Sequence, residues 1–286
     1  MRFFQLDVFA DKAFRGNPLA VFPDATDLGT EQMQAIAREM NLSETTFVTS
    51  VHSDAYEVRI FTPTEELPFA GHPTLGTMWT LLHTGQLHAS RVMQHSRAGT
   101  TWVTARGNEI WFERMGEASM DLAKTNVRAN EQIAQALGLE PGDVGLEAYE
   151  MGHSGRLEAA HSDAGIEALF VPLRDLDALG RVQVTPRLLA GLTPMGAYCF
   201  TAVGAGRLRA RGFFPGVGVP EDPATGAAAA SLGVYLADRL GPTDVEIRQG
   251  VEMGRPSQIF VKAGIDRVEV GGRCELVFEG RLEVLP

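Results

Sequence analysis

The stretch ELPFAGHPTLGTMWTLL, Glu66 to Leu82, runs an apolar strand end into Gly-His-Pro and then straight into an apolar helix. Most helices open on Ser, Thr, Asp or Asn, whose side chain accepts from the first free N–H groups. None of these stands before the helix here. Two readings follow. The helix is buried and its start is satisfied by backbone or water, or the free N–H donors and the positive end of the helix dipole await an anionic ligand.

A second stretch repeats the pattern. EDPATGAAAASLGVYLADRLGP, from Glu221, leads through Asp222-Pro223-Ala224-Thr225-Gly226-Ala227 into a helix carrying Leu232, Tyr235, Leu236 and Leu240, which Gly241-Pro242 ends. Both helices are apolar on most faces, which marks them as buried. Short β-branched and aromatic runs surround each one: FFQLDVFA, GNPLAVFP, ETTFVTS, YEVRIFTP and a TTWVTARGNEIWFERM hairpin in the first half; ALFVPL, GAYCFTAVG, RARGFFPG, VEIRQG, SQIFVKAG, RVEVGG, CELVFEG and RLEVLP in the second. TEQMQAIAREM behind Thr30 as cap, and NEQIAQALGL ending at Gly138, read as further helices. The expected fold is therefore α+β: two similar lobes, each a curved, mostly antiparallel sheet or barrel around one central helix. A composition shift between Arg114 and Ala129 suggests lobes of residues 1–118, which the last strand can complete, and 119–286. No short-period repeat accompanies the shared plan.

If the lobes brought the two helix starts face to face, their N–H groups would hold a small carboxylate. His72 and Asp222 stand at matched positions beside them. In NLSETTFV, Glu44 sits between a helix end and a strand start. It is either a solvated turn residue or a general acid/base whose partial burial raises its affinity for a proton.

Bulk properties narrow the partners. The 286 residues are 44% hydrophobic and 21% charged, which is ordinary for a globular protein, and the net charge is −11. Such an acidic chain, with lysine only at Lys12, Lys124 and Lys262, argues against nucleic acid and anionic membrane as partners. No run approaches the ~20 apolar residues of a membrane span, the N-terminus has no signal-peptide pattern, and a cytoplasmic location is expected. Cys199 and Cys274 lie far apart, the seven histidines show no metal-ligand spacing, and neither GxxxxGK[ST] nor a strand followed by GxGxxG occurs. No metal or other cofactor is expected. GHSGRLEAAHSDAG, Gly152 to Gly165, reads as an irregular loop with Ser154, His153 and His161 in structural or solvent-exposed roles.

Taken together and in order, GNPLAVF at Gly16, NLSETTFV at Asn41, ELPFAGHPTLG at Glu66, EDPATGAAA at Glu221 and QGVEMGRPS at Gln249 resemble the phenazine-biosynthesis PhzF-like family. The resemblance implies the diaminopimelate-epimerase-like fold with the active site between two lobes. It implies a cofactor-independent isomerase that moves a proton on a small carboxylate-bearing substrate, commonly as a homodimer. Glu44 falls on the family's acid/base glutamate, and His72 and Asp222 on its histidine and aspartate. Backbone donors to the substrate carboxylate would be Gly71 and His72 on one side, Gly226 and Ala227 on the other. The family often has serine where this chain has Ala227, so a hydroxyl contact is lost while the N–H remains. The related epimerases use two cysteines, near whose positions this chain has Ala70 and Ala224. The alternative is a small-acid-binding or interaction protein that keeps the fold without the chemistry.

Overall fold

The computed structural model describes residues 1–115, 127–264 and 267–286. The chain divides into two compact units, Met1–Arg114 with Val270–Pro286, and Met115–Glu269. The lobe boundary expected at 118/119 lies outside the described residues.

The first unit begins with β1 (Arg2–Val8), β2 (Asn17–Phe22), α1 (Thr30–Met40), β3 (Glu44–Val51), β4 (Ala55–Phe61) and β5 (Glu66–Leu67). Then come α2 (Gly71–His83), β6 (Arg91–Ser96), β7 (Gly99–Arg106) and β8 (Glu109–Met115). β2 runs parallel to β3, β3 antiparallel to β4, and β4 pairs both with the two-residue β5 and, in parallel, with β6. β7 and β8 form the expected hairpin, Arg106 facing Glu109.

α2 packs against strands on several sides, β1, β2, β3 and β7 among them, so the sheet curls round it. This is why the helix needs no polar face: Gly71 to Met78, Thr80 and Leu81 are all buried. The outer face of the same strands carries α1, whose Met33, Ile36 and Ala37 pack on Ala20, Phe22, Phe47 and Phe61. With both faces covered, NPLAVF reads as an unbroken apolar run. The cap of α1 is Gly29 and not Thr30; Gln32 reaches back to accept the Gly29 N–H at 3.1 Å.

The second unit opens with α3 (Val127–Leu137), β9 (Leu146–Glu147), β10 (Arg156–Leu157), β11 (Ala160–Ser162) and β12 (Ala168–Pro172). It continues through α4 (Leu176–Arg181), α5 (Pro186–Leu189), β13 (Ala197–Gly204), β14 (Arg207–Phe214) and β15 (Val219–Asp222). α6 (Gly226–Leu240), β16 (Thr243–Gln249) and β17 (Ser257–Ala263) follow. Parallel β12–β13, antiparallel β13–β14 and β14–β15, and parallel β14–β16 reproduce the order of the first unit. α6 takes the place of α2, packed on β11, β12, β16 and β17. The outer layer is α3, α4 and α5 against Leu169, Val171, Ala197, Cys199 and Phe213.

Three readings are corrected here. The stretch from Gly152 to Gly165 is not wholly irregular: β10 pairs with β9, and β11 pairs with β12. α4 and α5 were not foreseen from LDALGR and PRLL. The chain closes through β18 (Arg267–Gly272) and β19 (Cys274–Arg281), and RLEVLP adds no strand of its own. β19 lies along β1 from Val8↔Cys274 to Arg2↔Arg281, where its partner runs out. The two-lobed α+β architecture, a curved sheet around one helix in each lobe, is the diaminopimelate-epimerase-like fold.

Candidate active site

α1 ends on Asn41 in the left-handed conformation (φ 52°), a role asparagine fills at low cost. Two residues on, the Ser43 hydroxyl donates to the Oδ1 of buried Asn17 at 3.1 Å, and Glu44 opens β3 opposite Leu19. Asn17 follows Gly16, whose φ of +65° and whose would-be Cβ, 2.2 Å from the Val8 carbonyl oxygen, admit only glycine. The motifs GNPLAVF and NLSETTFV are thus the two sides of one contact that sets the Glu44 backbone.

Across from Glu44 stands His72, the second residue of α2. Its Nε2 lies 3.3 Å from Glu44 Oε2, with side-chain exposures of 6% and 17%. Both atoms are sealed from solvent, and the pair lacks hydrogen-bond alignment. The ring donates instead to the Pro18 carbonyl, which leaves Nδ1 as the protonated nitrogen. Burial outweighs that bond and pushes the imidazole pKa down to about 3, so the ring is neutral. Its Nε2 then turns a lone pair toward Glu44 Oε2.

The start of α2 is uncapped, as the sequence suggested: Ala70 is extended, makes no side-chain cap bond, and no acid lies in the first turn. Behind the helix the polar groups satisfy one another. Thr74 donates its hydroxyl to the Ala70 carbonyl, Gln94 donates to Thr74 Oγ1, and Tyr56 donates to Gln94 Oε1, each at 2.9 Å.

In the second unit, α6 also starts without a side-chain cap or a first-turn acid. Thr225 stands at the cap position, yet its hydroxyl donates to Asp222 Oδ2 at 2.5 Å. Gln249, fully buried, organises this turn. Its amide nitrogen donates to the Asp222 carbonyl at 2.7 Å and to Thr225 Oγ1 at 3.0 Å, and its oxygen accepts from Tyr198 OH at 2.7 Å and the Thr225 N–H at 3.2 Å. Burial raises the Tyr198 phenol well above its ordinary pKa, so it remains a donor. Gly250 (φ +71°) lets the chain turn behind Gln249; a Cβ there would sit 2.5 Å from the Arg255 carbonyl oxygen and 2.6 Å from that of Pro223.

The structure thus joins Glu44 to His72, and Asp222 to Thr225 and Gln249. His72 and Asp222 do not occupy matched positions. His72 is the second residue of its helix, where the second unit has Ala227; Asp222 ends β15, four residues before α6. Gly71 and Gly226 are the first residues of the two helices. Tyr198, Thr225, Gln249 and Asn17 were missed as site residues. The signal for Gln249 was the glycine after it in QGVEMGRPS.

Burial raises both cysteine pKa values, that of Cys199 to about 12, which leaves the thiols protonated and unreactive. Among the described residues, no group of three His, Cys, Asp or Glu side chains could hold a metal ion, and no helix is long and apolar enough to cross a membrane.

Residues 6–280 match the family model described as phenazine biosynthesis-like protein. The chain is 41% identical over 283 residues to a trans-2,3-dihydro-3-hydroxyanthranilate isomerase of Pseudomonas fluorescens, covering 93% of this chain and 94% of that one. A Bacillus anthracis phenazine biosynthesis protein of the PhzF family superposes with a TM-score of 0.85 over 99% of both chains, at 24% identity. A probable proline racemase from Agrobacterium radiobacter shares the fold at a TM-score of 0.60 and 11% identity, over all of this chain and 93% of its own. With a family model spanning nearly its whole length, the chain belongs to the phenazine biosynthesis-like, or PhzF, family.

Proposed function

We propose that this protein is a cofactor-independent isomerase that moves a proton on a small, ring-bearing carboxylic acid. The observation that carries the proposal is the partly buried Glu44 carboxyl set against buried His72 at an uncapped helix start. Shifting a proton between carbons needs a base, a means of returning the proton, and donors for the charge that builds up in between. Glu44 supplies the first two. His72, neutral and held by Pro18, flanks the Glu44 carboxyl. The N–H groups of Gly71 and His72 receive a substrate carboxylate; in the second unit the N–H groups of Gly226 and Ala227, beside Asp222 and Thr225, are the equivalent donors.

The unequal endowment of the two units favours isomerisation over two-base epimerisation. By strand register the counterpart of Glu44 is Gly196: Phe61 faces Thr45 and its equivalent Phe213 faces Ala197, so the residue one place earlier is Glu44 in one unit and Gly196 in the other. The counterpart of His72 is Ala227. One unit holds the proton-transfer pair and the other holds none at those places, so the proton leaves and returns through one carboxyl. The 41% identical relative is named for trans-2,3-dihydro-3-hydroxyanthranilate, a ring acid of this class, which makes that compound the first substrate to try. Association as a homodimer, the family habit, is part of the same proposal, and light scattering tests it.

The test is proton exchange. Incubated with the acid in D2O, the protein should place one deuterium on ring carbon as product forms, and Glu44→Gln should not. Binding without isotope exchange in the parent would instead identify an acid-binding protein without chemistry.

A further inference from the structure

The two units share more than their topology. β4 carries Arg59-Ile60-Phe61 and β14 carries Arg211-Gly212-Phe213, and each arginine lies over the phenylalanine two residues on, at 5.1 and 4.9 Å. Each arginine then grips a glutamate on the next short strand through two parallel bonds. Arg59 Nε and Nη2 reach Glu66 Oε1 and Oε2 at 2.8 and 2.7 Å, and Arg211 Nε and Nη2 reach Glu221 Oε1 and Oε2 at 2.8 and 3.0 Å. Both glutamates open the same pattern, Glu-x-Pro-x-x-Gly, five residues before the first residue of a central helix: Glu66 to Gly71 and Glu221 to Gly226.

We infer that Arg59–Glu66 and Arg211–Glu221 are twin positioning latches that fix the two helix starts for carboxylate binding, an inference that rests on the function proposed above. β5 is two residues long and β15 four, so backbone pairing alone holds these strand ends weakly. A bidentate, charge-assisted grip pins the strand, and proline stiffens the short connector to the helix. Each latch also ties down a further helix. Arg59 Nη1 donates to Thr30 Oγ1, where α1 begins, and Arg211 Nη1 donates to the carbonyls of Leu179, Gly180 and Val182, where α4 ends. The Arg59 grip holds the Glu66 carboxyl below the usual carboxylate range.

The test is a titration with benzoate, read at the backbone amides of Gly71 and Gly226 by nuclear magnetic resonance. Lysine keeps the charge and loses the fork, so Arg59→Lys should weaken benzoate at Gly71 about fivefold or more. Exchanging the partners, Arg59→Glu with Glu66→Arg, should recover most of that loss. Arg2→Ala, which breaks the exposed Arg2–Glu279 pair of the same unit, should leave the affinity unchanged and thereby separate positioning from general stability. Arg211 is more buried, and if Arg211→Lys does not fold, the Arg59 series decides alone. Parent-like affinity in Arg59→Lys, or a loss as large in Arg2→Ala, overturns the latch while leaving the carboxylate site in place. Amides of the parent that ignore benzoate overturn the carboxylate site and the latch with it.

Discussion

ELPFAG in the first unit and EDPATG in the second do the same mechanical task, bringing an extended chain through a proline into a buried, uncapped helix. They differ in what lies behind the turn. In the first, Thr74, Gln94 and Tyr56 form a network that reaches the Ala70 carbonyl, and Glu44 stands against His72 at the helix start. In the second, Gln249 binds the turn at three points and Tyr198 at a fourth, and the hydroxyl of Thr225 is tied to Asp222. In the function proposed above, the first turn serves a transferable proton, while the second is set by fixed hydrogen bonds. That reading keeps an uncapped helix start in both copies of a duplicated scaffold and confines acid/base chemistry to one.

The sharpest way to break this contrast is at Glu44. Glu44→Gln keeps size and hydrogen bonding but cannot carry the proton, and turnover should fall by about 10²–10⁴ with substrate affinity within about tenfold. Steady-state rates beside a binding titration test this, and parent-like turnover would remove Glu44 from the mechanism. His72 gives the next largest effect, on stability. The unfolded chain binds a proton at the ring near pH 6.5 and the folded chain near pH 3, so the benefit of the buried neutral ring is whole above about pH 6.5. It declines as pH falls toward 3, by roughly 3–5 kcal/mol in all. Denaturant unfolding at a series of pH values should show that acid slope in the parent and a shallower one in His72→Gln, whatever the absolute stability of the variant.

Much of the first half-site was legible because its residues lie in short, local patterns. The missing cap before Gly71, the helix end at Asn41 and the glycine turn before Pro18 are each read within a few positions. The second half-site resisted because its contacts are distant: Tyr198 meets Gln249 across 51 residues, and Asp222 meets it across 27. No propensity encodes such pairs. α4 and α5 were missed for another reason. At six and four residues they show too little period to register, and they form because Asp175 caps one and Pro186 opens the other. The Arg-x-Phe and Glu-x-Pro-x-x-Gly repeat escaped notice because the arginine and glutamate are separated by unequal loops, seven residues in one unit and ten in the other.

The two buried glutamines sharpen the comparison at moderate scale. Gln249→Met strands the Asp222 carbonyl, the Tyr198 hydroxyl and the Thr225 N–H, and should cost about 2–4 kcal/mol. Gln94→Met strands the Tyr56 hydroxyl alone, since Thr74 keeps its bond to Ala70, and should cost about 1–2 kcal/mol. Chemical denaturation orders the two. Equal costs would mean that Gln249 is no more an organiser than Gln94.

The smallest effect is expected at Ala227, the position equivalent to His72. Ala227→Ser leaves the backbone N–H in place and adds a hydroxyl at the helix start, where a Ser side chain can donate to a bound carboxylate or accept from the first turn. The second use would cap the helix internally and compete with the ligand for the same N–H groups. If carboxylate binding dominates there, affinity for benzoate should rise by about threefold, the order of one added hydrogen bond, with the melting temperature little changed. If capping dominates, stability should rise and affinity should fall. Calorimetric titration and thermal unfolding of the one variant therefore decide whether the second helix start is open to a ligand. A rise in stability with loss of binding would make α6 an ordinary buried helix whose cap happens to be missing, and would leave α2 as the sole anion-binding start.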